Sequence, residues 1–436
     1  MRTRSRSGQI PAGITTEGPP PPSGAVPGAP LLWPYQSRGT IAADDGSAVY
    51  PFDPSTYLHE RYVEKRRRSR ALRAYYALRP LVPRRLQLAL RRAYVPLQRT
   101  SKFPAWPVEP VLVEGQYEHL RKRLAETGES QIPFVNFWPG GKRFCAVLTH
   151  DVESEQGIEA IPRLLEIEQR CGFRSSWNFC AEQDPLPPDI FDKLRTAGCE
   201  VGLHGILHDG KLFASRSSFE SNLPKIHRYL SDWQAEGFRS PATHRRAAWM
   251  PELGCAYDSS FPDTDPFEPI PGGCCSIFPF FIDGMVELPI TLVQDHTCFE
   301  ILGERSISAW VLKSDWIIQH HGLINLIVHP DYMLSEERLE LYEGFLRFLK
   351  EQAGGWHALP REVAQWWKIR STIDVDSVVN GAGETGEDVL APRPTLAFAS
   401  DEGGRIAFDI RRPQARRRRF VSEAEPATPP NSRTSR

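Results

Sequence analysis

Residues 144 to 153 read FCAVLTHDVE: an apolar run from Phe144 to Leu148 that ends in Thr149, His150, Asp151, Val152 and Glu153. An apolar run of this length reads as a buried strand delivering titratable side chains at its carboxyl end. A second cluster, HGILH, spaces His204 and His208 four residues apart, which in a helical turn puts both imidazoles on one face, able to share a metal. It follows the apolar EVGL as THDVE follows its own run, so the two clusters are expected to meet. Two histidines and one carboxylate with an open position suit a catalytic Zn²⁺ or a similar divalent ion. In GFRSP, Arg239 could orient a carboxylate and keep it ionised, as a base requires, and LIVHP ends an apolar run in His329, whose imidazole could supply the general acid that amide hydrolysis needs.

The elements that must position these groups alternate in type. After FCAVLTHDVE come the helical pattern IEAIPRLLEIEQRCG, the strand-like RSSWNFCA, the helical DIFDKLRTAGC, the strand-like EVGL, and the long helical SFESNLPKIHRYLSDWQAEG before GFRSP. Alternation of this kind predicts parallel strands joined by crossover helices. FPFFIDGMVELPIT interrupts it with an Asp-Gly turn, and LINLIVHPDYM with the helical SEERLELYEGFLRFLKEQ resumes it. The fold class this predicts is α/β, an irregular (β/α) barrel of about seven strands, with polar groups collected at the carboxyl ends of the strands.

Taken together, these motifs resemble the NodB-homology polysaccharide deacetylases, carbohydrate esterase family 4, from about Arg143 to Trp367 and in the family's order. The resemblance implies a distorted (β/α) barrel and metal-assisted removal of acetyl from N-acetylated sugars. It implies further that Asp151 is the catalytic base, His204 and His208 are metal ligands, Arg239 and Pro241 form the R-x-P motif, and His329 is the general acid. The common family pattern has two adjacent aspartates, base then ligand, whereas Val152 follows Asp151 here. Glu153 is the nearest replacement, and because side chains alternate along a strand it faces the same way as Asp151, leaving His150 to point elsewhere. The implied cofactor is a divalent metal, zinc by the donor set. His244, in SPATHRR with Arg245 and Arg246, and Asp295 and His296, in ITLVQDHTCF, are candidates for contact with substrate or for support of the site, and Pro241 is grouped with them. Two other functions fit the same residues: an amidohydrolase acting on a small cyclic imide or other C–N bond, and a carbohydrate-binding protein that has lost its metal.

The 436 residues, 40% hydrophobic and 25% charged, suffice for one large core plus extensions. Residues 1–45 are Pro- and Gly-rich and expected to be disordered, 46–140 form a basic helical arm and lead-in, 141–370 the barrel, and 371–436 a hairpin at Gly403-Gly404 with a disordered tail. The whole chain has a formal net charge of −1, yet residues 61–102 carry about 14 Lys or Arg against a single Glu. Apolar residues interleave with those arginines, so short basic amphipathic helices broken at Pro80 and Pro83 are expected. They suit an acidic face of the core or an anionic membrane surface, and no nucleic-acid module is recognisable. The 8 cysteines lack paired C-x-x-C spacing, and the basic amino-terminal stretch leads into Pro and Gly rather than an apolar segment. The expectation is a cytoplasmic protein, peripheral at the inner membrane face if the arm binds lipid.

Overall fold

The computed structural model describes residues 54–64, 83–268, 270–373, 375 and 393–411. The Pro/Gly-rich residues 1–45, residues 65–82 of the basic arm and the tail beyond 411 lie outside the described residues. The helices are α1 (Ser55–Leu58), α2 (Arg61–Glu64), α3 (Arg84–Gln98), α4 (Val111–Thr127), α5 (Glu155–Cys171), α6 (Ile190–Thr196), α7 (Arg216–Asp232), α8 (Ser308–Gln319), α9 (Glu336–Glu351) and α10 (Pro360–Arg370). The strands are β1 (Ile132–Val135), β2 (Phe144–Val152), β3 (Ser176–Phe179), β4 (Glu200–Leu203), β5 (Gly237–Phe238), β6 (Tyr257–Asp258), β7 (Phe280–Ile282), β8 (Met285–Glu287), β9 (Leu323–Val328), β10 (Gly355–His357), β11 (Leu396–Asp401) and β12 (Ile406–Arg411).

Among the described residues nine strands form one sheet in the order β10-β2-β3-β4-β5-β6-β8-β7, with β9 on the other edge of β2. All pairings are parallel except that of β7 with β8, the hairpin at Asp283-Gly284. Every residue of β2 and of β9 is buried, as expected of parallel strands covered on both faces. Crossover helices follow β2, β3, β4, β8 and β9, and Ser154, Ser215 and Ser335 cap α5, α7 and α9 by accepting from backbone N–H groups. The sheet curls until the segment after β8 meets β9: the N–H groups of Thr291 and Leu292 both donate to the Asn325 carbonyl at 3.2 Å. Inside, the Asn325 amide reaches Ser259 Oγ at 3.0 Å and the Leu288 carbonyl at 3.3 Å. The result is a distorted (β/α) barrel with eight parallel strands, made irregular by two-residue strands at β5 and β6.

The hairpin of β11 and β12 pairs with β1 as a second sheet, and Phe408 packs edge-on against Phe134 and Phe137 at ring distances of 5.4 and 5.6 Å. Pro83 stands at the start of α3, where the arm was expected to break. That helix lies against the core: Arg92 Nε donates to the Glu300 carbonyl at 2.7 Å and Arg99 pairs with Glu304 at 3.1 Å. Among the described residues no helix is long and apolar enough to cross a membrane.

Two adjacent histidines after α8 make stability depend on pH. Burial pulls both His320 and His321 down to about 4. Their folded values lie below that of an unfolded histidine, so the unfolded state binds more protons in between. This stabilisation is full above pH 6.5 and is lost as pH falls toward 4, by on the order of 2–3 kcal/mol per histidine. Denaturant unfolding at neutral pH and near pH 4 is expected to show this loss, and His320→Gln/His321→Asn is expected to flatten it. An equal loss in the variant would assign the acid sensitivity to other groups.

Candidate active site

Strand β2 sorts its polar side chains by alternation. His150 faces outward, stacked on Trp177 with ring centroids 4.0 Å apart, and its Nε2 lies 2.6 Å from Glu168. Glu168 also accepts from Tyr342 and Ser175 at 2.6 and 2.5 Å, so His150 belongs to a buried polar network outside the barrel. Asp151 faces inward and is buried. Asn178 of β3 donates to its Oδ1 at 2.8 Å, and Arg239, just after β5, approaches its Oδ2 at 3.4 Å. The guanidinium is itself held by Thr149 and Ser259 at 3.2 and 3.0 Å. Burial opposes the Asp151 charge, but Arg239, His204 and His329 outweigh it and hold the carboxyl below its ordinary value. In β4, Gly202 sits beside Asn178, whose Oδ1 would lie 2.1 Å from a Cβ at that position; any side chain there would displace the amide that positions Asp151.

Glu153 lies just beyond the strand, its backbone N–H donating to Asp331 at 3.1 Å. Its Oε1 is 2.9 Å from His208 Nε2, 3.6 Å from His329 Nε2 and 3.9 Å from His204 Nε2. One donor atom each from Glu153, His204 and His208 falls within 4.8 Å of the other two. The tautomer of His204 follows from its surroundings: Nδ1 is 3.1 Å from the Arg239 carbonyl, which can only accept, so the proton sits on Nδ1 and the Nε2 lone pair faces the cavity. Nε2 of His204 and of His208 are both buried and aimed at the Glu153 carboxylate, the nearer at 2.9 Å. A carboxylate and two imidazole nitrogens converging on one point fit a divalent cation of the zinc type.

The pair His204 and His208 is not helical, as its spacing had suggested. Both follow β4 in a loop, and the reason is Gly205, whose φ of 70° is left-handed and ends any helical turn. A Cβ at Gly205 would come within 2.9 Å of the Pro241 ring. Pro241 is thus buried beneath the histidine loop and does not line the cavity, a correction to its expected contact with substrate.

Of the two roles open to Asp295, contact with substrate or support of the site, the structure places it in the second. It is fully buried, accepting the His329 backbone N–H at 2.8 Å and standing 2.6 Å from His329 Nδ1, so it orients the imidazole and is not open to a ligand. Burial disfavours the His329 cation, but Asp295, then Glu153 and Asp151, push its pKa up to about 10, and Nε2 is left to face the cavity. Arg245, the neighbour of His244 in SPATHRR, is buried against Glu60 and does not line the cavity.

These groups share a cavity of about 340 Å³, lined by Asp151, Glu153, His204, His208 and His329 and also by His244 and His296. Sequence reasoning missed Asn178, Asp331, Tyr332 and Arg91. A lone asparagine inside the apolar RSSWNFCA strand was a signal for the first. Asp331, two residues after His329, and Arg91, in a remote helix, carried none.

No family model matches the chain, and no curated protein does. Solved structures do match. A Mycobacterium smegmatis protein named as a polysaccharide deacetylase superposes with a TM-score of 0.45 at 19% identity, over 55% of this chain and 94% of that one. The allantoinase PuuE gives 0.43 at 14% identity over 53% and 92%. A family 4 carbohydrate esterase from Streptomyces lividans, solved with acetate, gives 0.32 at 13% identity over 48% and 88%.

Proposed function

We propose that this chain is a metal-dependent hydrolase that removes acetyl groups from an N-acetylated carbohydrate. The observation that carries the reading is the convergence of Glu153, His204 and His208 between an inward carboxylate, Asp151, and an inward imidazole, His329. A divalent cation bound there, zinc by the donor set, supplies polarisation of the acetamide carbonyl and a more acidic water. Asp151, kept ionised by Arg239, takes a proton from the attacking water as the carbon–oxygen bond forms. His329, protonated at neutral pH through Asp295, gives its proton to the nitrogen as the carbon–nitrogen bond breaks, so acetate and a free amine leave. His204 donates to the Arg239 carbonyl through Nδ1 and keeps Nε2 free for the metal. Cytoplasmic placement belongs to the same reading, with a soluble precursor or a nucleotide- or lipid-linked glycan as substrate.

Metal analysis of the purified protein, joined to acetate release from N-acetylglucosamine oligomers, tests it. One divalent ion per chain and chelator-sensitive acetate release are expected. Ring-opening of a cyclic imide without acetate release would replace the deacetylase by an imide hydrolase, and absence of both metal and hydrolysis would leave a binding protein.

A further inference from the structure

Glu153 carries its carboxylate on backbone that no strand holds. Pairing of β2 with β9 ends at His150 opposite Val328, and with β3 at Val152 opposite Phe179. Glu153 follows both ends, yet its Oε1 must stay 2.9 Å from His208 Nε2. A metal constellation works only when its supporting groups hold each ligand to within about 0.5 Å. A contact beyond the sheet must therefore fix this residue.

Asp331 makes that contact. Its Oδ2 accepts the Glu153 backbone N–H at 3.1 Å, and its Oδ1 accepts the hydroxyl of Ser154, the next residue. Ser154 in turn accepts the Gly157 N–H as the cap of α5, so the Asp331 carboxylate sits at the positive end of a 17-residue helix, where negative charge is favoured. The carboxylate is anchored from behind as well. It belongs to the 3-10 turn Pro330–Tyr332, closed by the Tyr332 N–H on the His329 carbonyl at 3.0 Å, and His329 is held by Asp295 through both its ring and its backbone. The approach needs Gly157: a Cβ there would come within 2.6 Å of Asp331 Cγ and 2.8 Å of Oδ1. Gly157 is not among the residues with left-handed backbone, and glycine in a helix costs stability, so what it contributes is room.

We propose that Asp331 is a positioning residue that ties the backbone of the Glu153 ligand to the turn bearing His329, and that Gly157 admits it by lacking a side chain. Resting on the hydrolase reading, this joins the metal ligand and the proton donor in one unit, in which Glu153 Oε1 stands 3.6 Å from His329 Nε2. Asp331 does not itself line the cavity. A change there acts through Glu153 and leaves every ligand in the chain.

Titration of Zn²⁺ into the full apo chain against a competing chelator, with the visible spectrum of Co²⁺ bound in its place, tests this without reference to activity. Asp331→Asn leaves one acceptor oxygen for two donors, the Glu153 N–H and the Ser154 hydroxyl, and is expected to lower zinc affinity by about 10- to 100-fold. Gly157→Ala keeps Asp331 but displaces its carboxylate, and a loss in the same range is expected although alanine is the better helix former. Both variants are expected to alter the Co²⁺ spectrum, which reports ligand geometry and does not follow a loss of stability alone. Zinc affinity or a Co²⁺ spectrum equal to that of the wild type in either variant would overturn the proposal and leave the hydrolase reading standing. A wild type that binds no zinc would overturn both.

Discussion

Glu153→Gln is expected to leave the purified protein almost without metal and without activity. Glu153 is the only carboxylate in the triad, and Val152 has no atom that coordinates a cation. Exchanging the carboxylate for an amide of the same size removes the negative charge that balances the cation, and a neutral amide oxygen is a far weaker ligand. Metal affinity should fall on the order of 100-fold or more, the upper end of what loss even of a supporting partner costs. The fold should tolerate the change, because the contact to Asp331 uses the Glu153 backbone N–H and the side chain is 18% exposed. Competitive titration of metal into the two apo proteins decides the matter. Coincident curves would take Glu153 out of the metal site, and with it the chemical basis of the hydrolase reading.

Asp151→Asn should separate base from ligand. Asp151 lies outside the triad, so metal content is expected to stay near wild type while kcat falls by about 10²- to 10⁴-fold, as loss of a general base does. A cost in stability accompanies it, because Arg239 is buried and Asp151 is its carboxylate partner. An asparagine oxygen still accepts a hydrogen bond, and Thr149 and Ser259 remain, so about 1–3 kcal/mol is expected rather than the larger penalty of an isolated charge. Saturating rates, metal stoichiometry and a denaturation curve on the same preparation provide the readouts. A wild-type rate would make Asp151 a structural partner of Arg239.

Much of this site was legible in the sequence because its residues close apolar runs. A buried strand announces its own end, and period-two alternation was enough to send Asp151 inward and His150 away from it. Periodicity said less about the loops. The spacing of His204 and His208 read as helical, and only the left-handed Gly205 against Pro241 explains why a turn brings them together instead. Asp295 was visible as a polar residue after an apolar run, but nothing local reveals that both its oxygens serve His329, 34 residues on. Asn178 and Arg91 were harder still, because their roles come from strand register and helix docking. The barrel was predictable from alternating elements, whereas its closure through Asn325 rests on side-chain bonds that no pattern records.

The strand that opens the site also guards its own alignment. Both faces of β2 are buried, and each meets a partner of its own: Glu168 outside for His150, Arg239 inside for Asp151. A one-residue insertion or deletion would exchange the faces. Asp151 would then meet the buried Glu168, acid against acid, and Arg239 would lose its carboxylate partner, so both faces would be left with an unmatched group. The two pairs act together as a proofreading device: only one alignment of these nine residues satisfies both, and it is the alignment that presents a base to the cavity. A one-residue change of length within β2 is therefore expected to abolish the site, whereas the same change in a loop leaves the strand's faces in place.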